Sequence, residues 1–170
     1  MSLESPTSDI VVRRAVGPDV FALAPILRQD DLDEIRDMSG APPLHALRDA
    51  YIESEKCFTV LYKGEVAAMM GVVRSKHCDT NPALGIVWLL GSEKIALFGF
   101  SFTKWARAWL KELARDFTLV GNLVSEQNIS HVKFLRRIGA KIVAGHDNFG
   151  PGRVTALEFV FSSEDLDGLG

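Results

Sequence analysis

Cysteine is scarce in this sequence: Cys57 and Cys78 are the only two among 170 residues. Two thiols fall short of a disulfide framework and of the paired CxxC knuckles of a zinc site, so free thiols in a reducing compartment are expected. His77 stands beside Cys78, but no second Cys/His pair follows at ligand spacing, and no metal site is expected. No apolar run approaches the roughly 18 residues that a membrane span requires. The opening residues MSLESPTSD hold neither a basic segment nor an apolar core, so no secretion signal is expected there. Three catalytic signatures are also missing: the GxxxxGK[ST] phosphate loop, the GxGxxG dinucleotide fingerprint and the GxSxG nucleophile elbow. Nucleotide hydrolysis, dinucleotide redox chemistry and serine hydrolysis therefore have no support.

What remains is the balance of a globular protein, 47% hydrophobic and 24% charged, at a length that suits one domain with a sizeable core. Net charge is −3 but unevenly spread. Residues 1–85 carry 9 basic and 13 acidic side chains, whereas 86–170 carry 10 and 9. Between 94 and 141, nine cations (Lys94 to Lys141) face only Glu112, Asp116 and Glu126, a local excess of +6. Such a stretch reads either as the solvated faces of two helices or as a field that attracts an anionic ligand. The overall acidity and the lack of an aromatic-basic signature argue against nucleic acid as that ligand.

No internal repeat or low-complexity linker interrupts the chain. Residues 1–8 and 163–170 read as tails around one domain over 9–162. A strand fits Asp9–Ala15, and Gly17-Pro18-Asp19 opens a helix through Leu27. Asp30 is a candidate cap for a helix over Asp31–Met38, and Pro43 starts a third helix. Residues 57–62 and 66–74 form strands around the turn Lys63-Gly64-Glu65. A buried strand follows at 84–90. Phe98, Phe102, Trp105, Trp109 and Leu113 then make one helical stripe over 96–115. A strand at 117–125 leads into a helix begun by Asn128 and ended by Gly139. Strands at 141–144 and 154–161 flank a glycine-rich loop, residues 145–152. The order predicts an α/β (α+β) fold, a mixed and mostly antiparallel sheet flanked by helices.

The segment SEQNISHVKFLRRIGA, residues 125–140, resembles the last helix of the GNAT superfamily of N-acetyltransferases. Asn128 takes the family's Asn position and Gly139 its closing glycine, and the element order over about 9–161 agrees with that fold. The blocks WLLGSEKI, FTKWARAWLKELARDFTLVGNLV and NISHVKFLRRIGA together are similar to the internal virion protein A family of T-odd podophages, whose members carry a GNAT-like domain.

The GNAT resemblance implies acetyl-CoA as cofactor. Its arm would bond the backbone of Leu89 and Leu90 on a splayed strand. Its pyrophosphate would meet the loop around 91–99, through Lys94, Leu97, Phe98 and Gly99, at a helix N-terminus where free N–H groups favour anions. Asn128 would donate to the arm. Glu93, just past the splayed strand, is a candidate general base or simply a helix N-terminal acid. His131 belongs to a residue type that exchanges protons near neutrality, and it could instead bond a neighbouring carbonyl. The acids Asp30, Asp31, Asp33, Glu34 and Asp37 read as a solvated helix start or as an attractor of a cationic amine. The implied acceptor is an amine-bearing small molecule or protein.

Two positions depart from the family. Lys94-Ile95-Ala96-Leu97-Phe98-Gly99 keeps only the basic lead and the last glycine of the phosphate loop. Leu135 stands where a proton-donating Tyr is common. The podophage resemblance offers an alternative: a non-catalytic virion protein that keeps the fold, with other phage virion proteins as partners. The host cytoplasm, or the interior of the particle, is the implied location.

Overall fold

The computed structural model describes residues 3–4, 9–76 and 84–168. Eight strands form one sheet: β1 (Leu3–Glu4), β2 (Ile10–Arg14), β3 (Ser54–Tyr62), β4 (Glu65–Arg74), β5 (Leu84–Gly91), β6 (Leu119–Ser125), β7 (Lys141–Phe149) and β8 (Val154–Ser162). Their order is β1-β2-β3-β4-β5-β6-β8-β7. Every neighbouring pair is antiparallel except β5 with β6. The mixed, mostly antiparallel sheet expected from the sequence is present. His77 and Cys78 lie outside the described residues.

The β3–β4 hairpin turns on Lys63 and Gly64, with φ of 51° and 80°. Two positive φ values in a two-residue loop match the right-handed twist of the flanking strands, so this Lys-Gly pair sets the register. Alternation then sorts β4 between two layers. Met69 faces a core with Val20, Leu23, Leu27, Ile35 and Leu47, which come from α1 (Gly17–Leu23), α2 (Gln29–Met38), α3 (Pro43–Glu53) and the turn after α1. Met70 and Val72 face the second core under α4 (Gly99–Ala114) and α5 (Ile129–Arg137). The aromatic stripe of α4 is core, as its spacing predicts: Phe102, Trp109 and Leu113 are buried, with Phe98 just ahead of the helix.

Asp19 ties α1 to the sheet. Its carboxylate accepts both terminal nitrogens of Arg13 at 2.7 and 2.8 Å, Thr59 Oγ1 at 2.7 Å and the Val16 N–H at 2.9 Å. Burial alone would make that charge costly. The Arg13, Thr59 and Val16 donors outweigh the cost and hold the carboxyl below its ordinary value. Nearby Cys57 is half-buried, and burial, helped by Asp19, pushes its thiol up to about 12. An unreactive core thiol agrees with its sequence context.

Several boundaries differ from the sequence expectations. Arg28, not Asp30, precedes α2 as its cap residue, and no side chain caps it. The strand β7 runs on through 145–149, expected as loop, because β8 offers a full partner: Gly145 pairs Leu157 and His146 pairs Ala156. Residues 163–167, expected as tail, form the one-turn helix α6 (Ser163–Asp167), capped by Ser162 and anchored by buried Leu166.

The β7–β8 turn docks on the end of α2. Gly152 N–H donates to Asp37 O at 2.9 Å. At Gly150, with φ 66°, a Cβ would stand 2.4 Å from Asp37 O and 2.5 Å from Met38 O, so only glycine fits. The helix α5 closes as expected at Gly139, with φ 101°. Ala140 N–H donates to Leu135 O at 2.9 Å and Gly139 N–H to Arg136 O at 3.1 Å, the paired bonds of a Schellman end. Gly139→Ala should cost about 1–2 kcal/mol in urea unfolding with an unchanged m-value, because a side chain is strained at that φ.

Candidate active site

The parallel pair at the sheet centre separates. Strands β5 and β6 are in register only at Leu84–Leu119, Gly85–Val120 and Ile86–Gly121. Beyond that point the Asn122 side chain replaces the ladder, donating to Val87 O at 2.9 Å. On its other side β5 stays paired with β4 to Gly91. The gap opens into a cavity of about 290 Å³, whose walls include Val87, Trp88, Leu89, Leu90, Asn122 and Leu123. Alternation along β5 sends Val87 and Leu89 to the α4–α5 layer, and Trp88 and Leu90 to the α2–α3 layer. The cavity therefore touches both layers.

Polar groups meet at one place in this wall. Glu34, from α2, accepts the Ser125 N–H at 2.6 Å and the Asn128 amide at 2.7 Å. His131, from the first turn of α5, places Nδ1 3.6 Å from Glu34 Oε2. Both side chains are nearly buried, at 14% and 12% exposure. Burial disfavours a charge on Glu34. The adjacent His131, then the Ser125 and Asn128 donors, outweigh it and hold the carboxyl below its ordinary value. Asp31, fully buried, lies beside them, and one ligand-type atom from each of Asp31, Glu34 and His131 falls within 4.8 Å of the others. Its carboxylate is committed elsewhere, to the Gly91 N–H at 2.9 Å and to Arg28 at 2.8 Å. A carboxylate held anionic can bind an ammonium group, and a neutral imidazole beside it can accept the proton.

The residues named from sequence divide into three groups. Leu89, Leu90 and His131 line the cleft together. Asn128 stands behind it, only 4% exposed: its carbonyl caps α5 by accepting the His131 N–H at 3.2 Å, and its amide serves Glu34. Glu93 is exposed and lines a neighbouring hollow of about 360 Å³ with Arg28, Thr103, Ser130 and Arg137. The expected phosphate loop is instead a 3₁₀ helix, Glu93–Phe98, leading directly into Gly99 and α4. With no glycine between Glu93 and Phe98 to open the backbone, tight i→i+3 turns take its place. Lys94 pairs with Glu65, Leu97 is 65% exposed, and Phe98 packs between Tyr62 and Phe102.

The basic excess of 94–141 is partly cancelled by acids from outside it. Lys94, Lys111 and Lys141 pair with Glu65, Asp167 and Asp165. In the sequence Glu34 and Asp31 read, with three neighbouring acids, as a solvated helix start or an attractor of a cationic amine, and nothing singled out Glu34. Their spacing held a signal, because Leu27, Asp31, the adjacent Glu34 and Ile35, and Met38 follow one another at three to four residues, the stripe of a buried face. No described helix is long and apolar enough to cross a membrane.

Neither a protein-family model nor a curated protein matches this sequence. Solved structures do. The aminoglycoside acetyltransferase AAC(6')-Ib, in complex with ribostamycin and coenzyme A, superposes with a TM-score of 0.70 at 16% identity, over 94% of this chain and 97% of its own. The acetyltransferase yncA from Salmonella typhimurium, with acetyl-CoA, gives 0.72 at 13% identity, over 92% and 95%. A GNAT-family acetyltransferase from Bacillus anthracis gives 0.69 at 10% identity, over 96% and 99%. With eight strands in this order and a sheet parted at its one parallel pair, the chain has the GNAT acetyltransferase fold.

Proposed function

We propose that this chain is an acetyl-CoA-dependent N-acetyltransferase that works at the gap between β5 and β6. One observation carries the reading: the two strands part after Ile86 and Gly121, and Leu89 and Leu90 of β5 line an open cavity there. A flexible, amide-bearing arm fits such a slot, since its amides can pair with an unladdered strand while the apolar walls exclude water. Structural neighbours with this fold hold coenzyme A or acetyl-CoA.

Acetyl-CoA supplies an activated thioester carbonyl; the chain supplies the rest. Leu89 and Leu90 orient the arm through their backbone. The neighbouring hollow, lined by Arg28, Arg137 and Thr103 of the first turns of α4 together with Glu93, is the adjoining place for the phosphates. His131 accepts the proton that an ammonium must lose before it can attack. Glu34 holds His131 and the ammonium, and Asn128 holds Glu34. Glu93 sits over the hollow and is assigned no proton transfer.

Acetyl-CoA at one hundred times its Kd should stabilise the protein by about 2.7 kcal/mol. For a chain of this length that is a rise in Tm of roughly 5–10 °C. Differential scanning fluorimetry reads it directly, and no shift at millimolar acetyl-CoA would refute the reading.

A second reading keeps the fold without catalysis, as a component of a phage particle in contact with other virion proteins. Exposed Leu97, the 3₁₀ helix in place of an open phosphate loop, and Leu135 favour it. Leu97 and Phe98 line neither hollow, however, so they do not plug the cleft. This reading expects no acetyl-CoA-dependent shift, so the same measurement separates the two.

A further inference from the structure

On the α2–α3 side the cleft is walled by Ile35, Met38, Ala50 and Trp88, with Ser39 at the rim. The Trp88 indole N–H is spent on Ser54 Oγ at 2.9 Å, so its ring faces the cavity as hydrocarbon. Among the described residues Glu34 is the one carboxylate on this wall. The other acids of α2 are directed elsewhere. Asp33 and Asp37 pair with Arg36 on the outer side of the helix. Together with Asp30 they line a second hollow of about 140 Å³, which shares Glu34 with the cleft but reaches neither Trp88 nor His131. Asp31 is held by Arg28 and the Gly91 N–H.

A ligand with several ammonium groups would place one at Glu34 and press the rest against Met38, Ile35 and Trp88. Desolvating a charge with no partner is expensive. An apolar body gains there instead, by leaving water for an apolar wall. We propose that the acceptor is a monoamine with a compact apolar or aromatic body, its ammonium end at the Glu34–His131 pair and its body against Ile35, Met38 and Trp88. The inference rests on the acetyl-transfer reading and narrows its substrate class.

The chemistry balances with acetyl-CoA as the co-substrate. The ammonium gives one proton to His131. The nitrogen lone pair forms a C–N bond to the acetyl carbonyl carbon while the C–S bond breaks. Sulfur leaves with the bonding pair and takes up the second nitrogen proton. The products are an amide, a free thiol and one proton on His131, which passes to solvent.

The test compares 2-phenylethylamine, spermidine and kanamycin as acceptors for the intact protein, with thiol release as the rate and Tm of the CoA-bound protein as a separate binding readout. The expected result is a kcat/KM for 2-phenylethylamine at least about 10-fold above either polycation, the scale on which pocket chemistry discriminates. A Tm rise with 2-phenylethylamine alone among the three should accompany it. Glu34→Gln should raise KM for the amine more than it lowers kcat. Met38→Asp, at a half-buried position, should shift the preference toward spermidine. Equal or better turnover of the polycations by the unmodified protein would overturn the inference. So would acetyl-CoA stabilisation without either acetylation or binding of 2-phenylethylamine, and the transfer reading would then survive. Absence of acetyl-CoA stabilisation would remove both.

Discussion

Replacing His131 by glutamine is expected to lower the rate of acetyl transfer about 10²–10⁴-fold, the range supplied by a positioned general base. Glutamine keeps the length and polarity of the side chain but cannot take a proton. The cavity wall should persist, because buried Val132 and Leu135 anchor α5 in the core. Acetyl-CoA stabilisation should therefore remain while kcat falls. If an ordered water were the base instead, the loss would stay below about tenfold. Steady-state kinetics with a fixed amine, alongside the thermal shift, separates these outcomes.

The largest stability effect is expected at Asp19→Ala. The substitution removes four hydrogen bonds and leaves Arg13, Thr59 and the Val16 N–H without their acceptor. Breaking a buried ion pair costs 3–5 kcal/mol, and because Arg13 is one-third exposed a loss of about 3 kcal/mol is expected. At this length that is a fall in Tm of roughly 6–12 °C. The pH dependence has a definite sign. The folded carboxyl binds a proton less readily than an unfolded Asp of pKa 3.8. Its contribution is thus complete above the unfolded value and disappears as pH falls through the lower folded value. Urea denaturation between pH 2 and 6 should show native stability climbing with pH, and Asp19→Ala should remove part of that climb below about pH 4. Parallel curves for the two proteins would mean that the Asp19 network carries no such charge dependence.

The parts of the fold that were readable in the sequence are those whose local and tertiary preferences agree. The α4 stripe from Phe98 to Leu113 has one period and one buried face. Asn128 and Gly139 mark the two ends of α5 because capping chemistry is local. The strand β7 was readable only over 141–144. Its continuation, GHDNF over 145–149, mixes glycine and polar residues with one apolar one, and only the partner β8 makes it a strand. Residues Glu93–Phe98 were read through a family pattern whose glycines are missing, and the chain winds into a 3₁₀ helix there instead. At the site, Leu89, Leu90 and His131 were placed by their elements, whereas Glu34 was hidden among five acids. Its role depends on Ser125 and Asn128, more than ninety residues away, and no local window reports such a contact.

The same distance matters during synthesis. Strand β6 shares three register positions with β5 but seven with β8, so most of its ladder comes from the last of these eight strands to leave the ribosome. The turn that seats α2, through Gly150 and Gly152, is made just before it. The β6 wall of the cleft and the seat of α2 therefore wait on the β7–β8 hairpin, whereas β5 is already held by β4. A nascent chain stopped before residue 150 would hold β2 to β5 in ordered pairing yet lack a formed slot. Acyl-carrier binding should switch on late in elongation, as a single event rather than by degrees.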